Sequence, residues 1–78
     1  MAINPLKNIP LKTFRDYLEW NGLNHVRTNG GHEIWNKVGL KRPVVVPTHV
    51  NPVEEHVVKN AMRIMRVNAE DYIEFLKS

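Results

Sequence analysis

The tripeptide Asn29-Gly30-Gly31 constrains this chain more than any other feature, because it separates two short runs with strand character. Before it, the β-branched Val26 and Thr28 alternate with His25 and Arg27; after it comes His32-Glu33-Ile34-Trp35. Asn-Gly between such runs is a strong hairpin signal, since both central residues of the favoured turn need positive φ. The pattern predicts a hairpin in which His32 opens the second strand just past a glycine-lined turn. Strand parity then puts His32 and Ile34 on one face and Glu33 and Trp35 on the other. Asn36 to Arg42, with Gly39 and three basic residues, reads as the next turn. Pro43 to Val46 is a β-branched run that Pro47 terminates, so a third strand is expected there. Three consecutive strands imply an antiparallel meander.

Helical spacing brackets the meander. Leu11, Phe14 and Leu18, with Tyr17 beside them, form one apolar face opposite Lys12, Arg15, Asp16 and Glu19, and Asn21-Gly22 supplies a helix stop. This predicts a helix over roughly 11–21. Residues 1–10 contain two prolines and read as an extended arm. Asn51-Pro52-Val53-Glu54 carries a cap residue, proline at the first helical position and an acid at the third, a helix-start signature. Val57, Ala61, Ile64 and Met65, widened by Val58 and Met62, continue that helix to about Arg66. Asn68 with Glu70 and Asp71 opens a last short helix bearing Tyr72, Ile73, Phe75 and Leu76. The expected order is α-β-β-β-α-α in a single domain spanning residues 1–78. Helices on one face of a three-stranded antiparallel sheet make an α+β fold resembling the double-stranded-RNA-binding domain.

A chain of 78 residues has a small core, burying only ~60% of the surface it exposes when unfolded. It contains no cysteine, which excludes disulfides, thiolate metal sites and a thiol nucleophile. No apolar run approaches the ~20 residues of a membrane span, and residues 1–10 lack the apolar core of a signal peptide. A soluble cytoplasmic protein without a membrane partner is the expectation. The formal charge of +3 is local. Between residues 20 and 53, Arg27, Lys37, Lys41 and Arg42 face the single acid Glu33, four minus one, while the flanking segments contribute +1 and −1. Such a balance favours a polyanionic or acidic partner.

His32 is the first candidate for chemistry. An imidazole that is neutral near pH 7 can act as a general base, and the two preceding glycines leave room for a large substrate. In RNA the target is a 2′-hydroxyl, which on losing its proton attacks the adjacent phosphorus to leave a 2′,3′-cyclic phosphate and a 5′-hydroxyl. Lys37, Lys41 and Arg42 are placed in sequence to hold the phosphate and offset its developing charge. The competing reading of His32 is a hydrogen-bonded, partly covered strand residue beside a turn. Metal chemistry fits less well: His32-Glu33-Ile34-Trp35-Asn36 begins like the zinc-protease helix motif, but Asn36 replaces the second histidine and glycines precede it. Neither metal nor cofactor is expected. His49, near the helix-start signature, reads either as an auxiliary residue of the site or as a loop tether. His25 and His56 read as surface residues. Lys59, Arg63 and Arg66 read as a basic helix face or as solvated partners of acids such as Glu55. Trp20 and Trp35 suit either base stacking or core packing.

These residues form a pattern. Arg27-Thr28-x-Gly30-x-His32-x-Ile34-Trp35 followed by Arg42-Pro43-Val44-Val45-Val46-Pro47-x-His49 resembles the HicA family of messenger-RNA interferase toxins, over nearly the whole chain. Leu11 to Gly22 is similar to the family's first helix and Glu70 to Leu76 to its acidic-aromatic tail. The resemblance implies a fold like the double-stranded-RNA-binding domain and an endoribonuclease of a toxin-antitoxin system. Its catalytic histidine, that of a Gly-Ser-His motif, falls on Gly30-Gly31-His32. With that activity the expected RNA-contacting residues are Arg27, Gly30, Gly31, Lys37, Lys41 and Arg42, and the partner the resemblance implies is a HicB-type antitoxin covering the active face. Two positions depart from the family: Gly31 replaces serine, and Lys59-Asn60-Ala61-Met62 stands where Gly-Thr-Leu-Arg is common. Against a metal-independent nuclease stand two other readings, a small RNA-binding module without chemistry and a domain whose basic face meets an acidic protein.

Overall fold

The helices and strands follow the expected order in the computed structural model, which describes residues 4–78. They are α1 (Leu11–Trp20), β1 (Asn24–Asn29), β2 (His32–Asn36), β3 (Val44–Pro47), α2 (Glu55–Met65) and α3 (Ala69–Lys77). The strands form one antiparallel sheet in the order β1-β2-β3, so the chain is a small α+β fold. No described helix is long and apolar enough to cross a membrane.

One sheet face is covered and the other open. Trp35 of β2 pairs with Val44 of β3, and Glu33 with Val46; Trp35, Val44 and Val46 are buried. Against them pack Phe14, Tyr17 and Leu18 of α1 and Val58, Ala61 and Met62 of α2, with Tyr72 of α3 completing the core. Each such buried side chain contributes about 1.5–3 kcal/mol by leaving water. An exposed pair such as Lys12–Asp16 contributes below about 1 kcal/mol, so packing dominates. Tyr17 is central: its ring meets Tyr72 edge-on at 5.1 Å, and its hydroxyl donates to Asp71 at 2.7 Å. Burial, reinforced by that carboxylate, pushes the Tyr17 hydroxyl well above its usual pKa, so it stays a neutral donor.

α1 ends as its Asn-Gly pair predicts. Gly22, at φ +88°, donates to the Glu19 carbonyl, Leu23 donates to that of Leu18, and Leu23 is buried beneath the turn. This double bond pattern satisfies carbonyls that the helix itself leaves free.

Three expectations need correction. The hairpin turn is shifted by one residue: Asn29 pairs with His32 inside the ladder, leaving Gly30-Gly31 as the turn, with Gly30 at φ +62°. The second helix starts at Glu55, with Glu54 in the cap position and without a side-chain cap bond, rather than at Asn51. Asn51 caps a different helix, its Oδ1 accepting from the Leu11 N–H of α1 at 3.0 Å. Val53 meanwhile bridges to Ile9, with its N–H donating to the Ile9 carbonyl at 2.8 Å. The stretch expected as an extended arm is therefore folded from Asn4 onward, with Leu6 and Ile9 buried; residues 1–3 lie outside the described residues.

Because Asn51 is the side-chain acceptor for α1, Asn51→Ala is expected to lower stability by ~0.5–2 kcal/mol, the usual worth of a helix cap. Chemical denaturation checks this, and an unchanged midpoint would remove Asn51 from that role.

Candidate functional site

The site is built on the open face of the sheet. Arg27 on β1, Ile34 on β2 and Val45 on β3 lie abreast, and His32 lies opposite Asn29 on one side and Pro47 on the other. His32 is exposed, and its ring has no hydrogen-bond partner among the described residues. This disposes of the hydrogen-bonded, covered alternative.

What turns His32 outward is the anchoring of its neighbours. Glu33 accepts two hydrogen bonds from Arg15 of α1, from Nε at 3.0 Å and from Nη2 at 2.6 Å, and one from Trp35 Nε1 at 3.1 Å. Only 12% of the Glu33 side chain is exposed. A one-residue slip of β2 would take Glu33 away from Arg15, breaking both bonds to α1, and bring His32 inward. Trp35 is thus a core residue, and Trp20, packed on Phe75 at 5.7 Å, belongs to the aromatic contact between α1 and α3.

A groove of about 540 Å³ runs between the open side of β3 and α2. His32, Val45 and Pro47 line its sheet wall. The helix wall carries His56, Val57, Lys59, Asn60 and Arg63. Its polar members recur at the i, i+3, i+4, i+7 spacing of one helix stripe, beside the buried stripe of Val58, Ala61, Met62 and Met65. That polar stripe was the available signal in the sequence, masked because His56 and Lys59 read individually as solvated positions. Lys59 Nζ lies 2.8 Å from Glu55 Oε2, leaving Arg63 without a carboxylate partner among the described residues. Arg63 also lines a second hollow of about 360 Å³ with Lys41, Arg42 and Arg66, so basic residues continue beyond the groove. Another hollow of about 520 Å³ beside α3 is lined by Glu70, Asp71 and Glu74 against Arg66 alone, an acidic balance that makes it a poor host for a polyanion.

The residues singled out in the sequence are therefore only partly gathered. Arg27 is exposed on the same sheet face as His32. Lys41 and Arg42 reach the groove's neighbourhood through Arg63. Lys37 does not: it follows the far end of β2, where its Nζ donates to the Asn21 carbonyl at 2.8 Å. Gly30 shapes the turn, whereas Gly31 makes room for another side chain. A Cβ on Gly31 would fall well inside van der Waals distance of the His49 ring. Thr48 fixes this arrangement, donating to the Gly31 carbonyl from its N–H at 2.7 Å and from its hydroxyl at 3.0 Å. His49 accordingly packs on the hairpin turn and lies well before α2 rather than at its amino terminus. His25 is held by Thr28 at 3.0 Å and rests against Trp35. Among the described residues no group of three or more His, Asp or Glu side chains is placed to hold a metal ion.

Hydrogen bonding from Arg15, opposed by burial and aided by Trp35, holds the Glu33 carboxyl below its ordinary value of 4.5. The unfolded chain then binds more protons than the native one just below that value, so this contribution is complete above it and lost as pH falls. Glu33→Ala, which strands the Trp35 N–H, should cost ~1–3 kcal/mol at neutral pH. The variant's denaturation midpoint should also fall less steeply in acid than that of the native protein. Parallel pH profiles would show that Glu33 is not the responsible carboxyl.

Comparison with family models, curated proteins and solved structures finds no match to this chain.

Proposed function

We propose that the protein is a metal-independent endoribonuclease, the toxin of a toxin-antitoxin pair, with His32 as its general base. The carrying observation is the free, exposed His32 imidazole facing Lys59 and Arg63 across a groove of about 540 Å³. That volume lies within the range of ordinary ligand sites, ~300–1,000 Å³, and accommodates a nucleotide unit. The HicA-like pattern around His32 supports the same reading, as does the order of helices around a three-stranded antiparallel sheet, which resembles the double-stranded-RNA-binding fold. Lys59 and Asn60, standing where that family commonly has Gly-Thr, line the groove and point to RNA contacts particular to this chain.

In this mechanism the backbone of a single-stranded or looped RNA enters the groove. His32 takes the proton of a 2′-hydroxyl, and the resulting oxyanion attacks the adjacent phosphorus. Arg63 and Lys59 offset the charge that builds on the non-bridging oxygens. The products are a 2′,3′-cyclic phosphate and a 5′-hydroxyl, and DNA, lacking the nucleophile, is not cut. The HicB-type antitoxin, in this reading, covers the open face and excludes RNA from it. A serine at Gly31 would meet the His49 ring, so in this reading the glycine that replaces the family's serine goes with the seat of His49 on the turn.

The experiment is cleavage of a defined RNA by the native protein and by His32→Ala, both in EDTA, with product ends mapped. The native protein should cut and leave cyclic phosphates, while His32→Ala should be slower by ~10²–10⁴-fold, the usual contribution of a general base. RNA binding without cleavage by either protein would replace the nuclease with a non-catalytic RNA-binding module. Activity that required added metal would overturn the mechanism.

A further inference from the structure

We infer that His56 is the second catalytic group of this groove, the general acid that protonates the departing 5′-oxygen; the inference rests on the ribonuclease reading above. Displacement at phosphorus places the attacking and leaving oxygens on opposite sides of the transferred phosphoryl group. A base and an acid serving one such step must therefore reach it from opposite sides. His32 and His56 meet that requirement, because His32 belongs to the sheet wall of the groove and His56 to the helix wall.

The other groups nearby are less suited to the task. Arg63 does not give up its proton under ordinary conditions, and Lys59 is engaged by Glu55 at 2.8 Å. His49 is packed on the Gly30-Gly31 turn and does not line the groove. Asn60 has no proton to transfer. An imidazole exchanges a proton near neutrality, and His56 is the imidazole on the helix wall. Glu54 Oε2 lies 3.8 Å from His56 Nδ1, which leaves Nε2 as the nitrogen with free access.

The step balances without any further reactant. His32 accepts the 2′-hydroxyl proton as the 2′-oxygen bonds to phosphorus; the bond from phosphorus to the 5′-oxygen breaks, and His56 supplies the proton that this oxygen needs to leave as a hydroxyl. Solvent then returns both histidines to their starting states. Lys59 and Arg63 remain contacts for the phosphate.

The test replaces the leaving atom. An oligoribonucleotide carrying sulfur in place of the 5′-oxygen at the cleaved bond departs as a thiolate and needs no proton. His56→Gln should cleave the ordinary RNA ~10²–10⁴-fold more slowly than the native protein, and the sulfur substrate within about tenfold of it. His32→Gln should slow both. The His56 side chain is 75% exposed, so its replacement should leave the unfolding temperature unchanged, which is measured alongside. Equal slowing of both substrates by His56→Gln would make His56 a binding residue and overturn the proposal, as would no slowing of either. A native protein that cleaved neither substrate would bring down the ribonuclease reading itself, and this proposal with it.

Discussion

The facing of β2 is the constraint on which the site depends. Side chains alternate along a strand, so burying Trp35 and tying Glu33 to Arg15 leaves His32 and Ile34 only the open side. The Glu33 carboxylate acts in three places at once: on α1 through Arg15, on the core through the Trp35 indole, and on the facing of the adjacent imidazole. Its side chain is 12% exposed, whereas both partners of the Lys12–Asp16 pair and the lysine of the Lys59–Glu55 pair stand in solvent. A small core gains direction from such a link more than it gains bulk stability, because a slipped register would part Glu33 from Arg15 and turn the Trp35 ring out of the core.

From this facing the groove follows. β3 pairs with β2 so that Pro47 lies opposite His32 and Val45 opposite Ile34, and α2 lies alongside β3 with its polar stripe turned to the same space. The hairpin turn is held to the end of β3 by two bonds from Thr48 to the Gly31 carbonyl. His49 occupies the space that a side chain at residue 31 would need. The two histidines that the sequence places in one motif are in this way separated, His32 on the open face and His49 against the turn.

Much of the fold was legible because local signals and tertiary demands agree. The spacing of Leu11, Phe14 and Leu18 and the Asn21-Gly22 stop define α1, and the three β-rich runs give the meander. Signals failed where a side chain serves a remote element. Asn51-Pro52 reads as the start of α2, yet Asn51 caps α1 across 40 residues of chain, which no local pattern reveals. Leu6 and Ile9 look like apolar residues in a proline-rich arm, and only the bridge to Val53 shows why they are buried. The site was half legible. His32 stood out beside its glycines, but summing charge along the chain placed the basic patch at residues 20–53 and cancelled Arg63 and Arg66 against acids of α3. In space those acids share a hollow with Arg66, while Arg63 stands apart from them, between His32 and the Lys41-Arg42 pair. Lys37 shows the opposite case, being close in sequence to His32 but bonded to the end of α1.

The place at which RNA binds tests the proposed groove most directly. Amide chemical shifts of the labelled protein, followed during titration with an oligoribonucleotide made uncleavable by 2′-O-methylation, locate the contact without relying on activity. Changes concentrated at His32, Val45, His56, Asn60 and Arg63, fading toward Lys37 and α3, are the expected result. Changes confined to the α3 hollow or to β1, with the groove between α2 and β3 unaffected, would contradict it.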